Sequence, residues 1–137
     1  MDELIEFVAA RLDEEQYLAQ DLARGHPGPW SADTPSSVCD SGGKVVVQDE
    51  YHWSAIPHIA RHDPARVLRD VAADRKLLAE WQQAEADSAE DDDQWKAGFA
   101  AGLRDAVLHR AKRFSGHPDY EAAVAALYRS MVGLPPA

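Results

Sequence analysis

DPARVLRDVAADRKLLAEWQQAEA, residues 63–86, decides how the rest of the chain is read. Asp63 can accept a hydrogen bond from an unpaired N–H in the first turn of a helix. Pro64 suits the first helical position, where no donor is needed. Val67, Leu68, Val71, Leu78 and Trp81 then recur at three-and-four spacing, which places them on one face of a helix running to about Ala86. A helix of that length with one apolar stripe must be covered by other elements, and the neighbouring sequence supplies mostly helices.

Towards the N-terminus, residues 2 to about 24 place Leu4, Val8, Leu12, Leu18 and Leu22 at helical spacing, with Ile5 and Ala19 alongside. Gly25, Pro27, Gly28 and Pro29 stop that helix, because proline cannot donate the next backbone bond. Between the two helices, VCDSGGKVVV (residues 38–47) holds two β-prone runs around Ser41, Gly42 and Gly43, which reads as a hairpin. A lone hairpin is marginal in water, so one face of Val45, Val46 and Val47 should lean on helices, with Trp30 as a lid. Tyr51 to His62 reads as a short helical or turn segment.

Towards the C-terminus, residues 85–93 concentrate six acids with few apolar anchors and read as a solvated acidic connection. Their spacing lacks the sharp glycine turn and distal acid of a calcium loop. Trp95, Phe99, Leu103, Ala106 and Phe114 continue a helical stripe from about Gln94 to Phe114, on which Gly98 and Gly102 offer a close-approach surface for another helix. Ser115 and Gly116 end it. Asp119 is placed to cap a last helix carrying Tyr120, Val124, Leu127, Tyr128 and Met131, before a flexible tail at 133–137. The expected fold is therefore mainly α: one domain over residues 1–137, four to five helices in a bundle-like arrangement, and one small β-hairpin across one end. The expected core is Leu4, Val8, Leu12, Leu18, Trp30, Val46, Val67, Leu68, Val71, Leu78, Trp81, Phe99, Leu103, Val107, Phe114, Val124 and Leu127.

Charge narrows the function. Lys and Arg number 14 against 24 Asp and Glu, a net charge of −10 that repels a nucleic-acid backbone and an anionic membrane surface. General nucleic-acid binding and membrane association are not expected. Acids at positions 2, 3 and 6 do not fit a secretory signal, and the lone Cys39 fits a reducing compartment, so the expected location is cytoplasmic. Asp40 beside Cys39 discourages a reactive thiolate. Basic residues cluster at Arg61, Arg66, Arg69, Arg75 and Lys76, and again at Arg104, Arg110, Lys112 and Arg113. Basic helices lying beside acidic ones is the ordinary reading of that pattern; an anion site at Arg66 and Arg69 is the sharper one.

The segment HIARHDPARVLRD (58–70) carries the chemistry most worth testing. His58 and His62 are four apart and would share a helical face, a spacing that can chelate a metal. Ile59 stands where a zinc protease needs its glutamate, so that mechanism fails. Zinc or another divalent metal would need further ligands from His117, Asp119, Asp63 or His52. The plainer alternative has His62 and Asp63 fastening a helix junction, with His58 packed beside them and no cofactor. Phosphate loops, nucleophile elbows and dinucleotide fingerprints are missing from the sequence.

HIARHDPARVL, taken with an N-terminal RLDEEQ helix, a GPW element and a late HPDY, resembles an actinobacterial and phage-encoded family of small proteins of unknown function. The resemblance implies no catalytic residues. It marks Trp30, His58, His62, Asp63, Pro64, Arg66, His117, Pro118 and Asp119 as shared landmarks. EAAVAALYRSMVG (121–133) continues beyond where such relatives end, as an apolar helix suited to covering the core or forming a dimer seam.

Three functions are compatible with these residues. The first is a non-enzymatic accessory module that binds a protein partner through its helical surface. The second is a small metal-dependent or acid–base hydrolase in which His58, His62 and His117 converge, with Asp119 or Asp63 as ligand or base and Arg66 gripping an anion. The third is an anti-host or DNA-mimic protein using the acid-rich segments.

Overall fold

The computed structural model describes residues 2–49, 54–90 and 93–134. Among these, five α-helices run as α1 (Asp2–Gly25), α2 (Ala55–Arg61), α3 (Pro64–Glu90), α4 (Gln94–Ala111) and α5 (Tyr120–Met131). Three short strands, β1 (Ser31–Thr34), β2 (Ser37–Cys39) and β3 (Val45–Gln48), form one antiparallel sheet in the order β1-β2-β3. The fold is mainly α. No helix of the described residues is long and apolar enough to cross a membrane. The chain divides into two compact units, one of residues 1–12 with 73–137 and one of residues 13–72.

The second unit is built on the turn that the Ser-Gly-Gly run predicted. Val38 pairs with Val47 and Cys39 with Val45, with an irregularity between Val38 and Cys39. Asp40 organises the turn: its Oδ1 accepts from the Gly42 N–H at 3.0 Å and the Lys44 N–H at 2.9 Å. Gly43 supplies the positive φ of 80°. The hairpin is not alone, however, because β1 adds a third strand through Ser31 opposite Cys39 and Thr34 opposite Ser37. Mostly polar and exposed, Ser-Ala-Asp-Thr gave no alternating signal to announce it. Val38, Ile56 and Ala60 form the buried centre, with Trp30, Val46, Val47 and Ile59 packed on it, so Trp30 does act as the lid. Its indole N–H donates to the His26 carbonyl at 3.0 Å.

The junction between α2 and α3 follows from Asp63-Pro64 as expected. Asp63 Oδ1 accepts from the Arg66 N–H at 2.9 Å, and its carbonyl accepts from the Val67 N–H at 3.1 Å. Both residues are buried. Gly28 is needed beside them, since a Cβ there would sit 2.7 Å from Asp63 Oδ1.

The first unit buries Leu4, Val8, Leu12, Leu78, Trp81, Val107, Ala111, Tyr120, Ala123 and Leu127. Phe7 meets Phe114 and Tyr120 edge to face, at centroid separations of 6.3 and 6.1 Å. Two expected core residues are corrected. Leu18 is 65% exposed, because the stripe of Leu4, Val8 and Leu12 continues inward through Ala19, one residue on. Phe99 is 54% exposed, because α4 turns Ala100, Val107 and Ala111 inward instead. The long third helix also runs past its expected end at Ala86 to Glu90, and the fourth closes in a 3-10 turn over Lys112–Phe114.

Candidate functional site

Charged groups in the described structure are largely engaged with one another along single helices. Arg66 Nε lies 3.7 Å from Asp70 Oδ2, and Lys76 Nζ lies 3.6 Å from Glu80 Oε1, both at i,i+4 spacing. Glu85 accepts from the Trp81 indole N–H at 2.8 Å, and Asp87 from the Gln83 amide at 2.7 Å. One cluster joins two helices and the 3-10 turn: buried Asp74 on α3 accepts from Arg110 Nε at 2.6 Å and Nη2 at 3.1 Å, while Arg113 Nη2 lies 2.8 Å away. The sequence marks Arg110 and Arg113 as a basic cluster but does not point to Asp74 as their partner, since Asp74 and Arg110 are separated by 36 positions.

His58 and His62 do come together. Their rings lie 4.4 Å apart, centroid to centroid, and both are exposed. His62 Nδ1 contacts the His58 carbonyl at 2.8 Å, and the His62 N–H donates to the Ile59 carbonyl, which closes the end of α2. His58 is thus at the surface instead of packed. Arg66 Nη1 donates to the Arg61 carbonyl at 3.0 Å, and Arg69 is exposed one turn further along α3. His52 lies outside the described residues. These histidines belong to the second unit; His117 and Asp119 belong to the first. No group of three or more His, Cys, Asp or Glu residues placed to hold a metal occurs among the described residues.

His117 sits in the connection before α5. Its ring is 5.4 Å from that of Phe7, Arg11 Nη1 contacts its Nε2, and the Asp119 N–H donates to its Nδ1 at 3.2 Å. A neutral imidazole has one bare nitrogen, so it satisfies one of these two donors at a time. Asp119 Oδ2 stands 3.8 Å from Nδ1, beyond hydrogen-bond reach. Asp119 occupies the cap position of α5 as expected, yet its side chain makes no capping bond; the Ala123 N–H goes to its backbone carbonyl.

Beside His117 opens a groove of about 490 Å³ between the first turns of α1 and the length of α5. Ala10, Ala122, Ala123 and Ala126 line it, with Glu3, Glu6 and Asp119 as its acids and Arg11 and Arg129 as its bases. With Phe7, which also lines the groove, these positions fall at i, i+3, i+4 and i+7 on α1 and likewise from Asp119 onward along α5, so each contributes one continuous face. The Glu3 carboxyl is held below its usual range, first by a hydrogen bond to its own backbone and, among lesser causes, by the Arg129 guanidinium. Arg129 Nε is buried without a hydrogen-bond partner. Of the α5 stripe expected from sequence, Tyr120 and Leu127 are buried, Val124 is half-buried, and Tyr128 and Met131 are exposed; the alanine-rich face goes unsignalled, because alanine carries little weight in a hydrophobic periodicity.

Neither curated proteins nor solved structures provide a match to this chain. A family model described as a family of unknown function, DUF6221, matches residues 1–124 and ends inside α5. On that match the chain belongs to the DUF6221 family.

Proposed function

We propose that this protein is a non-enzymatic interaction module that holds a helix of another protein in the groove between α1 and α5. The observation that carries the reading is the groove itself, about 490 Å³ with Ala122, Ala123 and Ala126 along its α5 wall. The small side chains of the α5 wall let a second backbone approach closely, as in helix-in-groove recognition, and Phe7 on the α1 wall offers an apolar contact. Glu3, Glu6 and Asp119 favour a basic residue on the incoming helix.

The hydrolytic alternative gains no comparable support. A general base needs a bare nitrogen facing substrate and a carboxylate in hydrogen-bond reach to orient it. The His117 nitrogens face Arg11 and the Asp119 N–H, and the nearby carboxylate oxygen is 3.8 Å away.

Affinity capture from cells of the source organism, run in parallel with wild-type protein and Ala122→Trp, tests the reading. Ala122 is exposed on the groove wall, so the indole fills the groove without disturbing the core. A partner recovered reproducibly by the wild type and lost with Ala122→Trp is expected. Equal recovery by both, or recovery by neither, contradicts it.

A further inference from the structure

Helix α4 has two apolar faces, and the fold uses one. Ala100, Val107 and Ala111 are buried. At 3.6 residues per turn, Trp95, Gly98, Phe99, Gly102 and Ala106 share the opposite side. Trp95 is 74% exposed and Phe99 54%, with the two rings packed edge to face at 6.2 Å. Nothing lies within 4 Å of where a Cβ would stand on Gly98 or Gly102. Exposed tryptophan and phenylalanine side by side are costly on a surface that meets only water, and such rings are enriched where proteins meet.

We propose that this face of α4 binds the same face of a second copy of the chain, making a two-fold dimer. Charge selects the occupant. The chain carries −10, so most encounters between two copies bring like charges together. From Trp95 to Leu103 the one charged residue is Lys96, which falls off the aromatic stripe. Two copies that meet here keep charge off the contact itself, and a foreign partner recruited by acidity has nothing to grip there. A two-fold contact asks for a patch complementary to itself, which an uncharged face with large rings beside open glycines provides: rings of one copy lie over the glycines of the other. Each fully covered aromatic ring contributes on the order of 150–250 Å². Allowing for what is already covered, the rings of both copies supply roughly a third of the ~1,600 Å² of a standard interface. A weak dimer that forms at high concentration follows. It is independent of the groove between α1 and α5.

Sedimentation velocity of the full chain across a hundredfold concentration range reads the result. The wild type is expected to pass from monomer to dimer, and both Phe99→Glu and Phe99→Lys to weaken association at least roughly tenfold with unchanged helical circular dichroism. Mixing equal amounts of Phe99→Glu and Phe99→Lys should restore the dimer, because only a face that meets itself places the new opposite charges together. Wild-type protein that stays monomeric at the highest concentration overturns the proposal. So does a dimer indifferent to either substitution, or a mixture that stays as weak as its separate components.

Discussion

Asp40 shows what a single buried carboxylate does in this molecule. Burial pushes its pKa upward, but hydrogen bonds from the Lys44 N–H, His26 and the Gly42 N–H outweigh that and hold it below the usual carboxylate value. A depressed carboxyl contributes stability that is fully present above the ordinary pKa of about 3.9 and is lost as pH falls through the folded value. Asp40→Asn keeps an oxygen for the turn and removes the charge facing His26. Urea denaturation is expected to show the wild type more stable than Asp40→Asn at pH 6, with the gap closing below about pH 4. Asp74 is a different case, since it is buried under two guanidinium groups. Asp74→Ala should destabilise the fold by about 2 kcal/mol in the same assay, because the arginines lose a charge-assisted acceptor and one of them is half-exposed. The sequence made Asp63 legible through the proline that follows it. It could not do the same for Asp40 or Asp74, whose roles depend on groups brought near by folding.

Among elements, those with a strong local signal were the readable ones. α3 announced its start through Asp63-Pro64 and its inner face through Val71, Leu78 and Trp81, all buried. The β2–β3 hairpin was legible from its glycines, whereas β1 was not, because its pairing with β2 and packing by α2 are tertiary effects. α4 misled in an instructive way: Trp95 and Phe99 lie on the exposed side while Ala100 and Ala111 are buried with Val107, so periodicity pointed to Phe99 where the structure buries Ala100. The glycines of that exposed side are not needed by the isolated fold. In the Phe99→Glu background, which keeps self-association out of the measurement, Gly98→Ala is expected to stabilise the chain by roughly 0.8–1 kcal/mol, since the new methyl enters open space and helix propensity improves. An unchanged or lowered midpoint in thermal or urea unfolding would show that Gly98 already serves the monomer.

At the scale of the whole molecule, the mainly helical class was accessible from composition and spacing, while the groove was not. It arises from residues 3–11 of α1 and from Asp119 with α5 up to Arg129, more than a hundred positions apart, and its α5 wall is mostly alanine. The candidate histidines were visible for the opposite reason: histidine attracts notice wherever it stands, and here His62 closes a helix while His117 meets Arg11 and Phe7. Helix docking between α1 and α5 is the central claim, and photo-crosslinking tests it most directly. A benzophenone amino acid replacing Ala122 in the full chain, irradiated in living cells, should yield one dominant heterologous adduct. A second probe replacing exposed Ser41 in the β2–β3 turn should not yield it. Absence of an adduct from position 122, or the same adduct from both positions, would contradict the account.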